Sequence, residues 1–502
     1  MSVGLRLNRA VGILVIAASP FVTGCAAVGP NYRRPEIAPP ATFRGVTDTQ
    51  TAASLADEPW WQVFSDEALQ TLIRDAIAHN LDLRIAVGRV QEARALSGVA
   101  RSFLYPEVNL TAGYTGRQGS RNSQPAEAAR DADRTFNNTS VAASMAWELD
   151  LFGRLRRENE AAFARYLATE EGRRAVIVTL VSDVASSYFL LRELDLQLEI
   201  ARRTLGLNDQ TVAFYKNRLG GGVSNRLEVD SAVANRALTG ASIPEIERQI
   251  VILENAISVL AGRPPGAIPR GRTLDEQHGP PAIPVGVPAG LLERRPDVVE
   301  AERFLIAANA DIGAAKALFY PTISLTGSVG TVSGDLADFL KGDSIIWSVG
   351  TGLFQPLFNA GRNRRNYEAA LARFNQALAQ YQKAALDAYR EVADALITID
   401  KLAQIRTEQE AGVVALRDAS QLSRARYDTG LANYLEILIA DQELFEREID
   451  LARTRGDQLR AISQLYRALG GGWQPEQPNA PPAPTPAPVP ASPGTGDSGS
   501  RN

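Results

Sequence analysis

The chain has 502 residues, of which 45% are hydrophobic and 22% charged, a composition typical of a globular protein rather than of a disordered or wholly membrane-embedded chain. The 53 Lys and Arg residues nearly balance the 57 Asp and Glu residues, and no long basic cluster points to nucleic acid as a partner. One cysteine and two histidines are too few for a disulfide framework, a Cys/His zinc site or a Cys-His nucleophile pair. We therefore expect no metal site and no thiol catalysis.

The N-terminus has the features of a secretory signal peptide. Arg6 and Arg9 precede a short apolar run at 11–18, which is too short to span a bilayer, and small residues then lead to Cys25. This order resembles the bacterial lipobox, in which residues 1–24 are removed and the cysteine carries covalent lipid. The alternative is an ordinary signal peptide with an incidental cysteine. Apart from lipid on Cys25, we expect no cofactor.

The remaining chain contains no run of 18 consecutive apolar residues. The mature protein is therefore expected to lack a transmembrane helix. Any membrane crossing must then be made by β-strands in a closed barrel, where every backbone polar group is paired.

An internal repeat divides the chain. The residues Gly222, Asn225, Leu227 and Glu228 recur 208 positions later, and the Tyr-Pro pair at 105–106 recurs 215 positions later. We expect a lipidated segment at 25–60, repeats at 61–262 and 291–472, a Pro/Gly-rich connection at 263–290 and a disordered Pro-rich tail at 473–502.

Each repeat contains two stretches in which apolar residues alternate with Ser, Thr and Gly, within 107–150 and 321–357. Alternation over roughly 10 residues predicts β-hairpins of the length that crosses a bilayer when tilted. A soluble hairpin packed on helices is the alternative. The hydroxylated face favours the membrane reading, because a water-filled lumen requires a polar lining.

Long helices follow each predicted hairpin. Proline is absent from 153–219 and from 361–470, and the apolar residues of 177–198 recur with the 3.5-residue period of a coiled coil. About 65 helical residues would extend roughly 100 Å. Glycine-containing breaks near 219–224 and 428–432 predict the tips of two helical hairpins, far from the strands.

Four strands cannot close a barrel, so the sequence predicts a homo-oligomer. A dimer would supply eight strands around a filled interior, whereas a trimer would supply twelve around a channel. The small hydroxylated residues favour the homotrimer.

Several motifs together resemble the TolC/OprM-like outer membrane efflux factors, in particular the lipoprotein branch that serves resistance-nodulation-division (RND) pumps. They are Val-Gly-Pro-Asn-Tyr after Cys25, Leu-Phe-Gly-Arg at 151–154 and its counterpart at 357–362, Ala-Arg-Tyr-Asp-Thr-Gly at 425–430, and the repeated Asn-x-Leu-Glu step.

The resemblance implies a mainly α protein with a membrane β-barrel, in which a trimer forms a 12-stranded barrel and a long α-helical coiled-coil tunnel. It implies a passive, lipid-anchored exit duct in the cell outer membrane for drugs or other small molecules. A periplasmic membrane-fusion adaptor and an inner membrane RND transporter would be its partners. A duct of this kind is not an enzyme.

Functional residues are expected at the tips. The candidates for tip or gate contacts are Glu228, Asp230, Arg424, Arg426, Tyr427, Asp428, Glu436 and Asp441, with Gly222 and Gly430 in turns that face the adaptor. The acidic residues either form rings in the lumen or serve as solvated faces and caps near helix ends. Family members often carry aspartate at the position of Ile439, so the acidic ring differs here.

Two other classes of protein are compatible with parts of the sequence. A coiled-coil structural or adhesive lipoprotein would share the long helices and Cys25, but it has no need of two matched alternating hairpins. An extracytoplasmic enzyme could use the plentiful carboxylates, but no catalytic constellation stands out.

Overall fold

The computed structural model describes residues 27–40, 63–120, 135–277 and 288–471. The predicted signal peptide, Cys25 and the Pro-rich tail lie outside these residues. The described chain is mainly helical and contains one four-stranded antiparallel sheet, which confirms the predicted fold class.

The two halves repeat the same elements. The first half comprises α1 (Glu67–His79), α2 (Leu81–Ser102), β1 (Glu107–Gln118), β2 (Thr135–Leu149), α3 (Arg154–Gly220) and α4 (Arg226–Leu260). After a 3-10 turn at Leu274–Glu276 come α5 (Pro288–Arg294), α6 (Pro296–Ala317), β3 (Thr322–Ser333), β4 (Ile345–Phe354), α7 (Arg362–Asp428) and α8 (Tyr434–Ala468). The pairs α2/α6, α3/α7 and α4/α8 have 22, 67 and 35 residues per helix, so the duplication extends to helix length.

Glycines with positive φ define the ends of the long helices. Gly153 and Gly361 precede α3 and α7 with φ of 80° and 81°, and Gly222 and Gly430 follow these helices with φ of 71° and 77°. Glycine adopts this left-handed region without the steric penalty of a Cβ. Each 67-residue helix rises about 100 Å at 1.5 Å per residue, as the sequence predicted.

The sheet joins the two halves of the chain. Its strand order is β1-β2-β3-β4, so β2 of the first half pairs with β3 of the second. Glu107 lies opposite Ala146 in the first hairpin, and Thr322 lies opposite Phe354 in the second. The two predicted hairpins therefore form one continuous sheet.

The main hydrophobic core surrounds the middle of α3. The predicted coiled-coil stripe is buried at Leu180, Val184, Tyr188, Leu191 and Leu194. Among the described helices, α3 alone contains a stretch long and apolar enough to cross a membrane, and more than half of that stretch is buried inside the protomer. We interpret it as a core helix.

Asp66 ties the connection between the halves to this core. Its carboxylate accepts hydrogen bonds from the Tyr188 hydroxyl at 2.9 Å, the Arg272 backbone N–H at 2.9 Å and Gln277 Nε2 at 2.6 Å. Asp66 also caps the N-terminus of α1 through the Ala68 N–H. A buried carboxylate with this many donors fixes the course of residues 271–277 along α3.

The N-terminal segment 27–40 crosses from one half to the other. The Val28 N–H donates to the Phe152 carbonyl at 3.0 Å, next to the start of α3. Arg157 then donates to Asn31 Oδ1 at 2.8 Å, and the Tyr32 hydroxyl donates to Glu302 on α6 at 3.0 Å. This segment is therefore docked on the protein close to the junction between the sheet and the helices.

Candidate functional site

The sheet has two chemically different faces. Leu110, Trp347 and Val349 project from one face and are 74%, 75% and 73% exposed in the protomer. The opposite face carries Ser, Thr and Gly, with Ser328 and Ser348 hydroxyls 2.8 Å apart. Large apolar side chains on one face and hydroxyls on the other suit a wall between lipid and water.

The sheet also has two open edges. Among the residues that the structure describes, β1 pairs only with β2, and β4 pairs only with β3. Unpaired backbone groups inside a bilayer are costly, so a membrane-spanning sheet must close on itself or on other copies.

At the other end of the long helices, two tight turns reverse the chain. The N–H groups of Gly222 and Val223 donate to carbonyls of the last turn of α3, and Gly430 and Leu431 do the same after α7. Asn225 and Asn433 then accept from the N–H groups three residues later and cap α4 and α8. Both predicted glycines therefore occupy the left-handed position of a Schellman turn.

An aromatic cluster joins the two hairpin tips. The rings of Tyr215 on α3 and Tyr434 on α8 have centroids 4.3 Å apart, and Tyr427 lies 5.7 Å from Tyr215. Burial raises the pKa of Tyr434 to about 12, and burial together with a hydrogen bond to Tyr427 raises the pKa of Tyr215. Both phenols therefore stay neutral, and the cluster is a small separate core at the tip.

Tyr427 is mostly buried in this cluster, with 9% of its surface exposed, and the guanidinium of Arg218 lies 5.2 Å from its ring centroid. Tyr427, Asp428 and Arg424 line a cleft of about 220 Å³ between α3 and α7. The structure thus brings three of the predicted tip residues together.

The other predicted residues form local pairs. Arg424 donates to Asp441 at 2.6 Å, and Ser420 donates to the same carboxylate at 2.6 Å. Arg426 lies 3.7 Å from Glu436 in an exposed ion pair.

On the first hairpin, Asp230 lies 3.4 Å from Arg226, and Glu228 accepts a hydrogen bond from Ser224. Glu228 and Glu436 also donate their backbone N–H groups to the capping asparagines. Whether these carboxylates line the lumen stays a prediction. Ile439 is 48% exposed on α8, where it would present an apolar side chain.

The sequence did not predict a buried charge cluster farther along the helices. Glu448 on α8 is 6% exposed and receives hydrogen bonds from Arg417 on α7, at 2.7 Å, and from Arg203 on α3. This carboxylate connects three long helices. The only signal in the sequence was the spacing of Glu448. It falls on the face of α8 whose other positions are buried.

Among the residues that the structure describes, no group of three or more His, Cys, Asp or Glu side chains could hold a metal ion. The contacts described at the tip are aromatic packing, ion pairs and helix caps.

The model of the outer membrane efflux protein family matches residues 72–263 and 287–471. The chain belongs to the outer membrane efflux protein family. It is 36% identical over 459 residues to the cation efflux system protein CusC of Escherichia coli, covering 90% of this chain and 97% of that protein. It is 35% identical to the solvent efflux pump outer membrane protein SrpC of Pseudomonas putida, with the same two coverages.

The fold also matches solved channels. The open state of the Neisseria gonorrhoeae MtrE outer membrane channel aligns with a TM-score of 0.81 and 30% identity, covering 89% of this chain and 99% of that one. This efflux protein is therefore an outer membrane channel component of an efflux system. The family assignment favours the channel over the coiled-coil structural or adhesive lipoprotein, and the open sheet edges and two-faced sheet become parts of a channel wall.

Proposed function

We propose that three copies of this efflux protein assemble into a passive exit duct, with a 12-stranded barrel in the outer membrane and a helical tunnel in the periplasm. The observation that carries the proposal is the four-stranded sheet with two open edges, one apolar face and one hydroxylated face. Three such sheets give the strand number at which a barrel leaves an aqueous lumen, whereas two would give a filled barrel.

Transport through this duct requires no catalysis. The hydroxyls on the polar face of the sheet and the ion pairs at the tip would give a passing molecule a polar path. The driving force would come from an inner membrane RND transporter, reached through a periplasmic membrane-fusion adaptor.

Exposed apolar side chains at the two tips support a periplasmic adaptor as the partner. Val223 and Leu227 on the first tip are 65% and 74% exposed, and their counterparts Leu431 and Leu435 on the second are 73% and 56% exposed. In a trimer these pairs would form six similar apolar patches on one end of the tunnel. Such patches suit a partner that presents several matching helical hairpins.

The position of the N-terminal segment supports covalent lipid on Cys25. Val28 is hydrogen-bonded to Phe152, between the end of β2 and the start of α3. Cys25 lies three residues before Val28, so a lipid on its sulfur would enter the bilayer beside the barrel. Palmitate labelling of the wild type, and its loss in Cys25→Ser, tests this part of the proposal.

Planar bilayer recording of the purified mature protein, combined with its mass in detergent, tests the duct. We expect discrete cation-preferring openings from a trimer. Glu436→Ala at the tip should weaken the cation preference, and Glu446→Ala, an exposed acid farther along α8, is the matched control. A folded, water-soluble monomer that forms no pores would contradict the proposal.

A further inference from the structure

We propose the register in which neighbouring copies of this chain join: β4 pairs with β1 of the next copy so that Ser348 lies opposite the neighbouring copy's Arg117, and α2 of that copy packs on α7. This inference rests on the trimer proposed above and adds the residue pairs of its interface. It follows from applying the internal repeat to contacts seen within one protomer.

The strands of the first hairpin pair in the same register as the corresponding strands of the second hairpin. Glu107 pairs with Ala146. Advancing the first position by 215 and the second by 208, the offsets found in the sequence, gives Thr322 and Phe354, which are paired in the second hairpin. The offsets are therefore reliable for strand register.

The pairing between β2 and β3 has no counterpart among the described residues of the protomer. Its equivalent would link β4, which corresponds to β2, with β1, which corresponds to β3. Ser140 pairs with Val332 in the observed joint. Advancing Ser140 by 208 and moving Val332 back by 215 gives Ser348 opposite Arg117 of the neighbouring copy. The same operation pairs residues 347–354 antiparallel with residues 111–118 of the neighbouring copy, so that 347 lies opposite 118 and 354 opposite 111.

This register keeps both faces of the sheet intact. Thr351 falls opposite the neighbouring copy's Tyr114, on the face where Tyr114 and Val349 are 68% and 73% exposed. Ser348 and Gly350 fall opposite Arg117 and Thr115 on the polar face. A slip of one residue would reverse the faces of one strand, exposing apolar side chains to the lumen.

The helices also differ between the two halves in one contact. α6 packs against both α3 and α7, whereas its counterpart α2 packs against α3 and leaves Ile85, Leu96 and Val99 between 53% and 59% exposed. Three alanines at the contact between α3 and α6 are buried, namely Ala161, Ala164 and Ala310. Their counterparts in the repeat, Ala369, Ala372 and Ala95, are exposed in the protomer. An α7 helix from a neighbouring copy, placed on α2 as α3 lies on α6, would bury the second set.

Disulfide cross-linking tests the register, because Cys25 is the only cysteine. In a Cys25→Ser background, Ser348→Cys with Arg117→Cys should form covalent dimers and trimers under mild oxidation. The matched control, Ser348→Cys with Thr115→Cys, lies on the same face but two residues out of register. Directly opposite Cβ atoms lie about 4.5–5.5 Å apart and diagonal ones about 7–8 Å, so the first pair should react several-fold faster.

Further variants keep the test decisive if the Cys25→Ser protein fails to insert into the membrane. The same pairs are made with Cys25 retained, since a lipidated sulfur cannot form a disulfide. Ala95→Cys with Ala372→Cys examines the helical interface independently.

The outcomes separate the two proposals. A trimer whose directly opposite strand pair and alanine pair both cross-link supports the register. A trimer in which the shifted pair reacts faster, or in which no pair reacts, overturns the register but leaves the trimer. A monomer in detergent overturns the trimer itself.

Discussion

Gly456 on α8 lies directly against the carboxylate of Glu193 on α3, so that a Cβ at Gly456 would lie 2.2 Å from Glu193 Oε2. The same carboxylate receives hydrogen bonds from Arg460 and, at 2.8 Å, from Gln197. The missing side chain at Gly456 thus creates the space in which a buried acid connects two long helices from different halves of the chain.

Gly456→Ala should therefore destabilise the protein. The added methyl group would displace a buried, hydrogen-bonded carboxylate, and overpacking of this kind costs about 1–3 kcal/mol. Thermal unfolding in detergent, followed by circular dichroism, measures the effect. Gly412→Ala on α7 is the control, because no atom lies within 4 Å of its Cβ position and alanine should raise stability by about 0.5–1 kcal/mol. Equal midpoints for the two variants would show that α8 does not approach Glu193 this closely.

Glu193 should make stability depend on pH. Burial raises the pKa of Glu193 above its ordinary 4.5, although Arg460 acts in the opposite direction. Between the unfolded and folded pKa values the folded state binds more protons, so the contribution of this group to stability is lost as the pH rises. Glu193→Gln should remove that dependence. Unfolding midpoints from pH 4 to 7 test this: the advantage of the wild type over the variant should shrink as the pH increases. Parallel profiles would contradict the expectation.

The two arginines on Glu448 should act together. Either Arg203→Ala or Arg417→Ala leaves one cation on the buried carboxylate. The double variant leaves none, and an uncompensated buried charge costs about 3–5 kcal/mol. We expect the double variant to lose more stability than the sum of the two single variants, measured as a double-mutant cycle by thermal unfolding. Arg447→Ala, whose side chain is 53% exposed, should have little effect. Additive losses would mean that Glu448 does not bridge the helices.

The two tip glycines should respond alike to alanine. Gly222 and Gly430 have φ of 71° and 77°, where a Cβ costs about 1–2 kcal/mol. Gly222→Ala and Gly430→Ala should each fray the tip and speed its cleavage by an added protease. Gly220→Ala, in the last helical turn, has no neighbouring atom within 4 Å and should not. Unchanged cleavage in both turn variants would show that the tips tolerate another turn type.

Much of the fold could be predicted because its signals are local. Alternation defined the strands, absence of proline defined the two 67-residue helices, and glycine followed by a capping asparagine marked each turn. The internal repeat tested each of these predictions a second time, because a strand, helix or turn predicted in one half had to recur in the other.

The tip was less predictable because its cluster breaks the repeat. The counterpart of Tyr215 is Ser423, and the counterpart of Tyr434 is Arg226. Repeat comparison therefore gave no signal for the ring pair that joins the hairpins. The sequence marked Arg424 and Asp441 as separate tip candidates, and only the structure shows that they pair.

The sequence by itself determined the lengths of the long helices, the positions of the turns and the duplication, because backbone preferences act between neighbouring residues. Only the tertiary structure decided which side chains meet across the halves. Tyr215 with Tyr434, Glu193 with Arg460, and β2 with β3 are separated by about 170 residues or more. Their contact depends on how long helices and paired strands pack in three dimensions, where burial and hydrogen-bond satisfaction select one partner among many of similar chemistry.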